Sequence, residues 1–232
     1  MLSSFEPRLD ILAESQRELW PDLDAVPSNF VLYGGTALAL QLGHRVSEDF
    51  DFFSSSSFDP DQLRARLPFF RDLNAADPEA WIQHKRDNLE GFVIRKREVR
   101  VAFFGGLDNL HRIEDPCHAA GSLVQVASLL DLAGMKMRVI QMRGSWKDYI
   151  DVHALVSKGI DIVTALGAAR AIDSNFNPAL SVRALQFYGD GTLDRVPVSV
   201  QRDLTNWAQS VDPARLPAFA PLRGLTPEGL YQ

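Results

Sequence analysis

The sequence predicts an α+β fold, a mixed sheet of roughly four to six strands followed by a helical C-terminal part. Three observations predict it. Residues 30–53, FVLYGGTALALQLGHRVSEDFDFF, read as strand, glycine turn, short helix, loop and strand. Residues 79–104 read as antiparallel strands near 81–86, 92–96 and 99–104, with turns at 88–91 and 96–98. From Ser128 onward the apolar residues recur at helical spacing: Leu129, Leu130, Ala133, Met137 and Ile140 form one stripe. The boundary therefore falls at 126/127, with an α+β core over 1–126 and a helical domain over 127–232.

Taken in order, residues 8–20 form an amphipathic helix in which Leu9, Leu12, Leu19 and Trp20 share a face, and Pro21 ends it. Phe30 to Tyr33 is a compact apolar strand. Gly34 and Gly35 break it, Thr36 is placed to cap a helix over 37–42, and Gly43 stops that helix. Asp59 followed by Pro60 opens a helix to Leu67. In the helical part Ser128 with Asp131, and Ser145 with Asp148, have capping-box spacing. Further helices are expected near 161–172, 178–188 and 199–209, and the proline-rich stretch from Pro213 reads as an extended tail.

Composition narrows the function. The chain has 232 residues, 46% hydrophobic and 23% charged, with net charge −6. Such a charge excludes a general polyanion binder, so any nucleic-acid contact needs a local basic patch. Lys85, Arg86, Arg95, Lys96, Arg97 and Arg100 supply one candidate, but Asp87, Glu90 and Glu98 dilute its charge, and a solvated sheet edge is the better reading. The single cysteine, Cys117, allows no internal disulfide and points to a reducing cytosol. His111, Cys117 and His118 fit no common structural zinc spacing. No apolar run reaches membrane-spanning length, and the N-terminus lacks the pattern of a signal peptide, so a cytoplasmic protein is expected.

The chemistry concentrates in residues 30–53. Asp49 and Asp51 are two apart on a strand, so they share a face roughly 6.6 Å apart at Cα, while Phe50 and Phe52 face the core. Two carboxylates so placed can converge on a hard divalent cation, Mg2+ or Mn2+. The Gly34-Gly35 turn leads into a helix N-terminus, where free N–H groups and the helix dipole favour a phosphate. A phosphate cradle beside a two-carboxylate cation site is the apparatus of phosphoryl or nucleotidyl transfer. His44 reads as an ordinary loop histidine and Glu48 as surface. By itself Lys136 reads as a surface lysine with an apolar stem, and Asp148 and Asp151 as neighbours on one helix face.

The pattern GGTALAL…HRVSEDFDFF resembles the motif of the AbiEii/AbiGii-type nucleotidyltransferases, relatives of the DNA polymerase β-like superfamily. A second block, LLDLAGMKMRVIQMRGSWKDYIDVHAL, is similar to that family's helical lysine, following arginine and KDxxDL-like helix. The resemblance implies that Gly34, Gly35, Thr36, Arg45, Ser47, Lys136, Arg143 and Lys147 bind nucleotide. It also implies that Asp49, Asp51, Lys136 and Asp148 serve catalysis, with Asp148 orienting Lys136 or acting as a base. The helical domain would pack on the core and complete the site. The implied reaction moves an NMP from an NTP to an acceptor hydroxyl, with an RNA acceptor such as a tRNA 3′ end. The implied setting is a toxin–antitoxin or phage-defence system with a cognate antitoxin protein. Many relatives carry a third carboxylate in the strand that aligns with Val99 to Phe104. Here Ala102 stands in that strand, leaving Glu98 or Asp108 to supply the acid. Two alternatives follow: nucleotidylation of a small molecule or protein, or a degenerate nucleotide-binding module.

Overall fold

The computed structural model describes residues 3–71, 82–85, 88–92 and 99–227, giving for 82–85 and 88–92 the backbone course. The chain divides into two compact units that exchange short segments. One holds 1–110, 115–128 and 223–232; the other holds 111–114 and 129–222.

In the first unit the elements run β1 (Ser4–Phe5), α1 (Glu14–Leu19), β2 (Val31–Tyr33), α2 (Gly34–Leu42), β3 (Asp49–Phe53), α3 (Pro60–Arg66), α4 (Pro68–Arg71), β4 (Ile82–Lys85), β5 (Asn88–Phe92), β6 (Arg100–Phe104), β7 (Cys117–Ala119) and β8 (Gln125–Val126). Among the described residues they build one eight-stranded mixed sheet, in the order β1-β7-β8-β2-β3-β6-β5-β4. The α+β class is as expected, with more strands than the four to six predicted. β1, β7 and β8 are two or three residues long, too short to show a period of two in sequence.

The central strands set the geometry of the site. β2 and β3 are antiparallel, with Tyr33 opposite Asp51. β3 and β6 are parallel, with Asp49 opposite Arg100 and Asp51 opposite Ala102. β5 is antiparallel to β6, with Glu90 opposite Ala102. One face of β3 is core: Phe50 and Phe52 are fully buried, and Phe52 stacks on Phe103 at 5.1 Å between ring centroids. Phe30 meets the edge of the same Phe103 ring at 5.2 Å. Asp49 and Asp51 point to the opposite, partly exposed face, as alternation requires.

Several local expectations are corrected. The helix expected over 8–20 is not continuous: a 3-10 turn at Leu9–Ile11 precedes α1, which ends at Leu19 ahead of Pro21, and a second 3-10 turn over Trp20–Ala25 holds Pro21 in its first turn. The turn expected at 88–91 is strand β5. The expected strand over 92–96 and turn at 96–98 fall mostly on 93–98, outside the described residues. The tail expected from Pro213 does not stay extended. Leu225 and Thr226 are buried in the sheet unit, Tyr33 Oη donates to the Leu225 carbonyl at 2.9 Å, and Ser55 and Thr226 exchange hydrogen bonds at 3.0–3.1 Å. The helix at Asp59-Pro60 forms as expected, Asp59 accepting from the backbone N–H groups of Asp61 and Gln62.

The second unit is helical: α5 (Leu129–Val139), α6 (Trp146–Ser157), α7 (Ile162–Ile172), α8 (Pro178–Ala184) and α9 (Val198–Gln209). Its core gathers Leu132, Ala133, Met137, Val152, Leu155, Leu166 and Ile172. Tyr149 Oη donates to the Ala184 carbonyl, and Ser181 Oγ to that of Met137, both at 2.8 Å. Residues 127 and 128 and the segment from 223 belong to the sheet unit, so the helical unit is shorter at both ends than 127–232. Among the described residues no single helix is long and apolar enough to cross a membrane.

Candidate active site

The turn between β2 and α2 shows why this sequence needs two glycines in a row. Gly34 has φ +76°, a region that side chains strain to occupy, and a Cβ there would lie 2.8 Å from Asp51 Oδ2. Gly35 is required by contact. Its Cβ would lie 2.5 Å from Arg45 Nη2 and 2.9 Å from Ser47 Oγ. Arg45 and Ser47, placed at the nucleotide by resemblance alone, therefore converge on the first turn of α2. Ser47 is buried, and Arg45 donates from Nη1 to the Val46 carbonyl at 2.9 Å.

The residue at the N-cap of α2, Tyr33, does not cap it with its side chain, and the helix begins at Gly34 rather than after Thr36. Thr36 is thus not the cap that its residue type suggested. It lies inside the first turn, buried, and its hydroxyl donates to the backbone carbonyl of Asp49. That bond ties the start of β3 to the helix N-terminus. A helix start flanked by a guanidinium and a hydroxyl is chemically suited to an anion.

Asp51 lies against Gly34, so one carboxylate adjoins the same turn. Its other oxygen, Oδ1, accepts from Arg100 Nη1 at 3.2 Å. Arg100 stands on β6 opposite Asp49 and had no assigned role at the site; the strand register could not be read from sequence, so this contact could not be foreseen. Ala102, opposite Asp51, is completely buried. Of the acids named as substitutes for a third carboxylate, Asp108 is exposed in the loop after β6, and Glu98 lies outside the described residues. Among the described residues no group of three or more His, Cys, Asp or Glu side chains could hold a metal ion. Asp49 and Asp51, oxygen donors on one strand face, fit a hard divalent cation as a two-carboxylate set. Apart from Arg100, the basic stretch from Lys85 also falls outside the residues whose side chains are described.

In the helical unit the other expected residues gather in a second cluster. Lys136 on α5 is buried, its Nζ 2.8 Å from Asp148 Oδ1 and 2.5 Å from Asp151 Oδ2 on α6. Arg143 completes it, donating from Nε to Asp148 Oδ2 at 2.8 Å. Arg143 does not follow Lys136 on one helical face, because α5 ends at Val139 and a loop delivers the guanidinium. The capping boxes do not form as spaced. Ser145 occupies the N-cap of α6 without a side-chain bond, because Asp148 is taken by the two cations. Asp131 accepts instead from the backbone N–H groups of Ile113 and Glu114, at 2.7 and 3.0 Å. Burial pushes the Asp148 carboxyl up, and Lys136 and Arg143 outweigh it, so the group sits below the ordinary aspartate value. Lys147 is half-buried on the first turn of α6. His44 is half-buried in the loop between α2 and β3.

The fold is similar to that of MenT4, a nucleotidyltransferase toxin of Mycobacterium tuberculosis, with a TM-score of 0.54, 15% identity, and coverage of 85% of this chain and 82% of that one. A putative nucleotidyltransferase from H. pylori aligns at 15% identity with a TM-score of 0.47, over 84% of this chain and 90% of its own. In sequence, an uncharacterized protein of Aquifex aeolicus (strain VF5) is 28% identical over 164 residues, 70% of this chain and 75% of the relative. The profile of the family described as nucleotidyl transferase AbiEii toxin, type IV TA system, matches residues 22–220, which take in both the glycine–aspartate segment and the Lys136 cluster. The chain therefore belongs to the AbiEii nucleotidyl transferase toxin family of type IV toxin–antitoxin systems.

Proposed function

We propose that this nucleotidyltransferase moves an NMP from an NTP to a hydroxyl of RNA, with a tRNA 3′ end as the acceptor, and that it needs Mg2+ or Mn2+ held by Asp49 and Asp51. The observation that carries the reading is the convergence of Gly34, Gly35, Arg45 and Ser47 on the start of α2, directly beside Asp51. In this reading the backbone N–H groups of the first turn, the Ser47 hydroxyl and the Arg45 guanidinium hold the triphosphate and fix its orientation. The acceptor oxygen bonds to the α-phosphorus. The bond from that phosphorus to the α–β bridging oxygen breaks, pyrophosphate leaves with the electron pair, and the hydroxyl proton passes to solvent. A divalent cation supplies charge neutralisation at the reacting phosphoryl group. Asp49 is held to the start of α2 by the Thr36 hydroxyl, which keeps the carboxylate strand and the phosphate turn in register. The family's type IV toxin–antitoxin setting supports a cognate antitoxin protein as partner. The assignment of Lys136 to the triphosphate belongs to the same reading, drawn from the resemblance.

The test is transfer of label from each α-32P NTP, with Mg2+, to total tRNA, to a protein pool and to an aminoglycoside panel, with Asp51→Asn as control. Label on tRNA that the variant loses is expected. Label on protein or aminoglycoside instead would move the acceptor class to the small-molecule or protein alternative. Transfer that persists in Asp51→Asn would overturn the roles given to the aspartates.

A further inference from the structure

Arg100 is in contact with one of the paired aspartates, Asp51, and it sits where a cation-binding site should not want it. β3 and β6 are parallel, and opposed residues share a face, so Asp49, Asp51, Arg100 and Ala102 lie on one side of the sheet. Arg100 is opposite Asp49 yet bonds diagonally to Asp51, at 3.2 Å, with each side chain 27% exposed. The methyl group of Ala102 leaves that diagonal open; a longer side chain at 102 would stand between the guanidinium and Asp51. A guanidinium keeps its charge at any physiological pH. A unit charge and a double charge a few ångströms apart repel strongly enough, even at the dielectric of bulk water, to weaken cation binding more than tenfold. A triphosphate reverses this balance, because its oxygens accept from a guanidinium in the same fork geometry that a carboxylate offers.

We propose that Arg100 makes cation binding at Asp49 and Asp51 depend on nucleotide. It engages Asp51 in the nucleotide-free protein and transfers to triphosphate oxygens when the cation–nucleotide complex enters, so that cation and NTP load together. The inference rests on the reading of Asp49 and Asp51 as the cation-holding pair. Arg100 is thus a positioning residue for the cation site and a phosphate contact in the loaded state. The partial exposure of both side chains suits an exchangeable pair, since such ion pairs hold weakly.

The experiment is Mn2+ titration of the full chain followed by electron paramagnetic resonance, alone and with an α,β-methylene NTP analogue, with the Mn2+ bound by the analogue itself subtracted. Wild type, Arg100→Gln and Asp51→Asn are compared, each checked by thermal melting; Arg100→Met, which keeps the apolar stem, replaces Arg100→Gln if that variant melts early. Wild type is expected to bind Mn2+ weakly alone and at least about tenfold more tightly with the analogue. The neutral variant at position 100 is expected to bind Mn2+ about tenfold more tightly alone and to lose most of the gain from the analogue. Unchanged Mn2+ affinity and unchanged gain in that variant, with binding lost in Asp51→Asn, would overturn the role of Arg100 while leaving the aspartate site standing. No Mn2+ binding by wild type in either condition, or binding that Asp51→Asn retains, would overturn the aspartate site and this inference with it.

Discussion

The chain holds two clusters of aspartate and cation, one in each unit, and they are built oppositely. On β3, Asp51 meets Arg100 at 3.2 Å with both side chains about a quarter exposed. Between α5 and α6, Lys136 is clamped by Asp148 and Asp151 at 2.8 and 2.5 Å, with side-chain exposure of 8%, 1% and 0%. The first arrangement leaves carboxylate oxygens near solvent and beside a helix start, so its charges can be taken over by a ligand. The second has removed its charges from water and satisfied them with each other. Separating a buried pair is costly because each partner is left desolvated, whereas exchanging a half-exposed pair is nearly neutral. Similar residue types thus serve packing or chemistry according to burial and geometry.

The largest expected effect lies in the buried cluster. Lys136→Met leaves Asp148 and Asp151 facing one another without their shared ammonium, and is expected to cost about 3–5 kcal/mol of stability in urea unfolding. A variant that keeps its stability but loses transfer would show that Lys136 serves the triphosphate, as the resemblance implies, and not the fold. Next comes the exposed pair. Asp51→Asn is expected to reduce transfer at least about a hundredfold, the scale at which charged groups act on phosphoryl transition states, with less than about 1 kcal/mol change in stability. A large loss of stability instead would place Asp51 with the buried, structural aspartates.

A smaller effect is expected at the phosphate turn. Gly35→Ala adds a methyl group 2.5 Å from Arg45 Nη2 and 2.9 Å from Ser47 Oγ. The arginine can swing away, while Ser47 is buried and cannot, so the helix start shifts by a few tenths of an ångström. Nucleotide affinity by calorimetry is expected to fall about tenfold, with a stability cost of about 1 kcal/mol. An unchanged affinity would mean that the nucleotide does not use this turn.

What was legible in the sequence follows the same division. The glycine turn, the alternation of Asp49-Phe50-Asp51-Phe52 and the helices of the C-terminal half are local patterns, and each appears where its period placed it. What depends on pairing across the chain was not legible. Arg100 meets Asp51 only because β6 lies parallel to β3 in one particular register. The segment from Pro213 reads as a proline-rich tail, yet Leu225 is buried and its carbonyl accepts from the hydroxyl of Tyr33, nearly two hundred residues earlier. Capping signals failed where a stronger partner competed. Asp148 has the spacing of a capping box, but a buried lysine and an arginine take its oxygens. Thr36 has the residue type of a cap, but its hydroxyl goes to the Asp49 carbonyl.

The smallest effect concerns acid. Burial raises the Asp148 carboxyl, and the charges of Lys136 and Arg143 bring it below the ordinary value despite that. A carboxyl whose folded pKa is depressed contributes stability in full above its unfolded value, about 3.9, and loses it as pH falls through the lower folded value. Asp148 is therefore expected to contribute a constant amount from neutral pH to about 4.5, and a falling amount below about 4. Arg143 is 64% exposed on its side chain, so its share is the weaker and more screened. Arg143→Gln should raise the folded pKa of Asp148 toward the unfolded one, lowering stability slightly at pH 7 and flattening the acid limb of the melting profile. Added salt should do the same to wild type, because it screens the exposed guanidinium far more than the buried ammonium. An acid limb that keeps its slope in Arg143→Gln would show that Lys136 alone holds Asp148 ionised, and that the cluster is closed to solvent on the side of Arg143 as well.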